Sequence, residues 1–111
     1  MFSDIFIKAI NEKRKIIVTF FSQQDGDYVK RVCAPMDIGP SSRAKDKSDK
    51  FHMWDYESDE KPHTVSLKPN QIQNIEVTEE TFEPSEFITW LPKWFIIRGW
   101  GSILNRRNNA I

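Results

Sequence analysis

The side chains best equipped for chemistry are two histidines, His52 and His63, and a set of cations and aromatic rings spread over neighbouring stretches. Lys30 and Arg31 stand together, His52, Trp54 and Tyr56 alternate further on, and His63 and Lys68 follow. Either histidine is of the right type for a general base. Nothing else that catalysis needs accompanies them. The sequence has no Gly-x-Ser-x-Gly elbow, glycine-rich phosphate loop, His-Glu-x-x-His or paired metal-ligand motif, and it contains no cofactor motif. The one cysteine, Cys33, lies in an apolar run between Val32 and Ala34 with no sequence-local base to activate it. It reads as a buried, inert thiol, and a single cysteine excludes an internal disulfide or a cysteine-built zinc site. The chemistry that suits this mix of residues is binding. Bases stack on exposed rings for about 1 to 3 kcal/mol each while Lys and Arg meet phosphates, an arrangement that needs both residue types on one surface. The bland alternative is that Trp54 and Tyr56 complete the core.

The elements that must position these residues are mostly strands. Phe2, Ile5, Phe6, Ala9 and Ile10 recur at the spacing of an amphipathic helix, with Ser3 or Asp4 available to cap its first turn. Residues 15–21 and 28–34 are dense in β-branched and aromatic side chains and flank Asp25-Gly26, which predicts a β-hairpin. Pro35 removes a ladder donor, so the chain should bend there before residues 36–38 resume an extended course. Residues 39–50 hold Ala44 as their one anchoring apolar side chain and read as a mobile loop. Residues 51–57 alternate, with Phe51, Met53 and Asp55 on one face and His52, Trp54 and Tyr56 on the other. After a polar turn at 58–62, residues 63–67 and 71–77 supply two more short strands around Pro69-Asn70. Five closely spaced strands after one helix argue for a small antiparallel barrel or a strongly bent sheet.

Beyond Val77 the composition shifts. Residues 78–86 are acidic, whereas residues 91–111 carry Lys93, Arg98, Arg106 and Arg107 with no Asp or Glu. Trp90, Trp94 and Trp100 are concentrated here. Three roles are open to this stretch: a cover for the barrel, a membrane-surface segment, or an arm that docks a partner or a second copy through Trp94, Arg98 and Trp100. The favoured one is the cover, because three free tryptophans would promote aggregation. Residues 105–111 read as a frayed end. The organisation expected is a β domain at 1–84 and a basic, tryptophan-rich extension at 85–111.

Sixteen basic side chains balance sixteen acidic ones in 111 residues, so no global field draws the chain to nucleic acid or an anionic membrane, and any basic site must be local. The N-terminal residues lack the pattern of a signal peptide, and Pro92, Lys93, Arg98, Gly99 and Gly101 interrupt the apolar stretch near the other end. The expectation is a cytoplasmic protein with no membrane partner.

The order of helix, hairpin, Arg-x-x-x-Pro, long loop, aromatic strand, short strand, Ile-containing strand and Phe-x-Pro resembles the WYL domain of prokaryotic regulators. Residues 6–10 resemble that family's opening helix, residues 16–21 its first strand, and Arg31 to Pro35 its Arg-x-x-x-Pro segment. Phe51, His52 and Met53 stand where the Trp-Tyr-Leu signature falls, and His63 stands where the family often has an arginine for an anionic ligand. Residues 72–77 and Phe82-Glu-Pro84 resemble its end, so the likeness covers about the first 84 residues. The resemblance implies an SH3-like or Sm-like five-stranded barrel that senses or holds a nucleotide or single-stranded nucleic acid. Such domains usually follow a winged-helix DNA reader, and relatives serve as accessory modules of bacterial defence systems. With the first helix opening the chain, the expectation is a stand-alone binding module, with Lys30, Arg31, His52, Trp54, Tyr56, His63 and Lys68 around the ligand. A protein-interaction or homodimerisation domain using the extension is the alternative.

Overall fold

A computed structural model of the chain describes residues 2–41, 45–57, 62–89 and 93–100. Helix α1 (Ser3–Glu12) buries Phe6, Ala9 and Ile10, the stripe that its periodicity marks. Neither Ser3 nor Asp4 caps it. Phe2 occupies the cap position without a side-chain bond, and Asp4 sits in the first turn, where its charge favours the helix dipole. The helix ends at Lys13, whose left-handed backbone (φ 54°) turns its N–H back to the carbonyl of Ile10.

Five antiparallel strands follow: β1 (Arg14–Ser22), β2 (Asp27–Gly39), β3 (Lys50–Asp55), β4 (His63–Leu67) and β5 (Ile72–Thr81), in the spatial order β4-β3-β2-β1-β5. The β1–β2 hairpin closes through Gly26, whose positive φ of 68° lets its N–H reach the Ser22 carbonyl. Pro35 does not end its strand. The register slips between Pro35 and Asp37, so Met36 is an extra residue and the ladder continues to Gly39 opposite Lys50. That bulge is the bend Pro35 was expected to force. β5 also runs further than its apolar pattern, into the acidic stretch, because Arg14 pairs with Thr81 at the far end of β1.

The chain is mainly β, with one N-terminal helix. β4 and β5 share no ladder among the described residues, but a 3-10 turn at Pro69–Gln71 joins them directly. The meander thus returns its last strand to β1 at a corner, which gives a bent, partly open barrel. Ile16, Val18, Phe20, Cys33, Phe51, Met53, Leu67, Ile72 and Ile75 form the core, and α1 lies over it with Phe6 meeting Phe51 edge-on at 5.0 Å. Phe82, Phe87, Ile88, Trp94 and Trp100 belong to the same cluster. No helix among the described residues is long and apolar enough to cross a membrane.

The loop after Gly39 is described apart from residues 42–44, and Lys50 at its end is buried with its ammonium on the Asp46 carbonyl at 3.0 Å. The polar turn at 58–61, Trp90, Arg106, Arg107 and the expected frayed end at 105–111 lie outside the described residues.

Candidate functional site

Adjacent residues of a strand face opposite ways, and this rule divides the expected ligand set. Asp55 is buried on the core face, opposite Cys33 of β2 and His63 of β4. Arg31 is two residues from Cys33, so its side chain shares that face, and its Nε lies 3.6 Å from an Asp55 oxygen. The other end of the guanidinium, Nη2, lies 3.9 Å from Asp25 in the hairpin turn. Around them opens a cavity of about 350 Å³, lined by Arg31, Asp55 and His63, the turn residues 22–25, Gln71, and an apolar wall of Phe20, Val65 and Leu67. Asp55 is held in place by accepting the Glu57 N–H at 2.8 Å, while Glu57 accepts the Val32 N–H at 2.8 Å.

His52, Trp54 and Tyr56 occupy the opposite face, as does Lys30, next to Arg31 in β2. The structure therefore does not bring Arg31 together with the rings, contrary to the expected single surface. Both rings are also partly buried in aromatic contacts. Trp54 lies against Phe87 at 5.4 Å with ring planes 11° apart, and Tyr56 meets the same Phe87 edge-on at 6.5 Å. Lys15 sits over the other side of Tyr56, 4.6 Å from its centroid. His52 binds the Ser66 hydroxyl at 2.7 Å and donates to the Gly39 carbonyl at 2.8 Å, so both ring nitrogens are engaged within the sheet. Lys68 is half-exposed, paired with Asp46 at 3.7 Å.

Tyr56 carries a further consequence of this packing. Its hydroxyl is buried with no hydrogen-bond partner among the described residues. Burial first, then the charges of Glu86 and Cys33, push its pKa up to about 12. Because the folded value exceeds that of a free phenol, about 10, the neutral form stabilises the fold fully below pH 10, and this contribution is lost as pH rises from 10 to 12. In Tyr28→Phe, where Tyr56 is the remaining tyrosine, absorbance at 295 nm should therefore titrate with a midpoint near pH 12. A midpoint near 10 would show the ring to be in water.

The expected partner-docking residues also turn inward. Arg98 is fully buried, its guanidinium between Trp94 and Trp100 at 4.0 and 4.5 Å from their centroids. Its Nη2 meets Asp37 at 3.0 Å, and Nη1 donates to the Met36 carbonyl. Asp37 also accepts the N–H groups of Phe95 and Ile96, each at 2.9 Å. Trp100 donates its indole N–H to the Ile10 carbonyl at the end of α1, at 2.7 Å. In this conformation Trp94, Arg98 and Trp100 have no surface left for a partner. The sides that do face out belong to Phe95 and Ile97, 50% and 77% exposed. Cys33 is buried, and burial together with Asp55 and Glu57 raises its thiol pKa.

With this geometry in view, the comparisons with known proteins yield one informative likeness. The chain shares its fold with proteasome accessory factor B/C (PafBC) of Arthrobacter aurescens. The TM-score is 0.54 at 18% identity, over 75% of this chain and 12% of that one. The chain thus spans about an eighth of that protein's length. No family model and no curated protein sequence matches.

Sequence reasoning missed Asp25, Asp55 and Gln71 in the cavity and Asp37 in the clasp. Asp55 had a signal: it is an acidic residue in phase with Phe51 and Met53, and a carboxylate on an apolar face needs a cation. Asp37 had none, since its partner is 61 residues away.

Proposed function

We propose that the domain is a non-enzymatic binding module of the WYL type, acting in a regulatory or defence setting, whose ligand is a nucleotide or a short single strand of nucleic acid. The ligand enters the core-face cavity, with Arg31 and His63 toward its phosphate, the amides of Gln23, Gln24 and Gln71 toward its polar edges, and Phe20, Val65 and Leu67 against its apolar parts. The observation that carries this reading is the cavity itself. About 350 Å³ falls in the usual range for small-molecule sites, and here polar groups converge on an arginine over an apolar wall. The sequence resemblance and the fold shared with PafBC support the same module type.

Anisotropy titration of a labelled five-residue oligothymidylate at low salt tests it. Binding should weaken as salt rises, because phosphate contacts release counterions. His63→Ala, on an exposed edge position, should weaken it several-fold, and Arg31→Ala should weaken it about tenfold or more, the worth of a charged hydrogen bond. Salt-insensitive binding, or none, would remove the reading.

A second reading, association with another protein or a second copy, has one observation in its favour. Phe95 and Ile97 project into solvent from a segment that is otherwise clasped down. Sedimentation of Ile97→Lys against the unaltered chain separates the two: a drop in mass would support association through this edge.

A further inference from the structure

Among the described residues, Asp25 and Asp55 share the Arg31 guanidinium in the cavity, and they are not equivalent. Asp55 is 4% exposed in the middle of the sheet and fixed by the Glu57 N–H. Asp25 is 37% exposed, on the four-residue turn of the hairpin, and its side chain is not needed to shape that turn. The turn is closed by Ser22, whose hydroxyl and carbonyl take the N–H groups of Asp25 and Gly26 at 3.2 and 2.8 Å, and by the positive φ of Gly26. The guanidinium of Arg31 is 19% exposed and partly desolvated, so it needs a lasting counter-ion, and Asp55 supplies it. Asp25 adds a second negative charge from the more exposed hairpin turn, at the Nη2 end of the guanidinium. At 3.9 Å the contact is longer than the 2.7 to 2.9 Å of a tight charged hydrogen bond. An anion entering the cavity meets this carboxylate first.

We infer that Asp25 is an exchangeable internal anion: its carboxylate holds the position on Arg31 that the ligand's phosphate or carboxylate group takes, and swings out with the turn when ligand binds. The inference rests on the cavity reading above and adds a chemical class to it. The ligand carries an anionic group at one end of a compact body, and it is admitted by displacing Asp25 rather than by filling an empty positive site. Asp55 remains on Arg31 through the exchange.

The test is a titration of the same oligothymidylate and of inorganic phosphate into the full chain and into Asp25→Asn and Asp25→Ala. A half-exposed ion pair of this length is worth a few-fold in affinity, so both variants should bind each probe about three- to fivefold more tightly than the parent chain. Tightening of phosphate alone would assign the effect to the free anion, and tightening of both to the anionic end of a larger ligand; either supports exchange. Equal binding by parent and variants, or weaker binding by the variants, overturns the exchange and leaves the cavity reading standing. Binding by none of the three chains overturns both. Binding by the variants alone would show Asp25 to be a complete block, which is the proposal in its strongest form.

Discussion

Asp37→Ala should lower stability by about 3 to 5 kcal/mol, the usual cost of removing one member of a buried ion pair. Asp37 does more than neutralise Arg98. It accepts two backbone N–H groups, from Phe95 and Ile96, so its loss leaves a fully buried guanidinium and two amides without their acceptor. Arg98→Met should cost less. The methionine stem still fills the slot between Trp94 and Trp100, and Asp37 keeps both amide donors. The order Asp37→Ala worse than Arg98→Met, measured by urea denaturation, is therefore the signature of a carboxylate that organises the segment. Equal losses would mean that the ion pair alone matters.

The second large effect concerns chain length. A chain ending at Ser85 lacks Phe87, Trp94 and Trp100, three buried rings, and with them the cover over Trp54 and Tyr56. Each ring is worth about 3 to 5 kcal/mol when truncated to alanine, so the total is on the order of 10 kcal/mol, comparable to the whole stability of a small domain. The shortened chain should be unfolded or aggregated, with loss of the near-ultraviolet circular dichroism of its packed tryptophan. Should it stay folded while losing only self-association in the centrifuge, the segment would be an assembly arm and not part of the core.

Period-two alternation over residues 51–56 correctly separated Phe51, Met53 and Asp55 from His52, Trp54 and Tyr56, because it is a local property of the chain. Which of those faces Arg31 shares is not local. It depends on the β2–β3 register, which the bulge at Met36 shifts by one residue. Counting through Pro35 without that bulge, no pattern places Arg31 beside Asp55. The cover over the rings was anticipated in kind, since a one-layer sheet cannot bury both faces unaided. It is built from Phe87, a residue outside the tryptophan motif, and the tryptophans themselves close on Asp37 and the end of α1. The helix cap failed for a simpler reason: Ser3 and Asp4 already lie inside the first turn, where neither side chain makes a capping bond.

Gly39 shows how tightly that closure is fitted. A Cβ there would overlap the ring of Phe95, so any larger residue would make that half-exposed ring shift.

The claim on which the functional account depends is that ligand binds on the core face at Arg31 and not on the ring face at Trp54. Amide chemical-shift mapping of the full chain during titration with the oligothymidylate decides it. The account predicts saturable shifts at Asp25, Arg31, Asp55, His63 and Gln71. Shifts confined to Lys30, Trp54, Tyr56 and Phe87 would place the site on the opposite side of the sheet and contradict it.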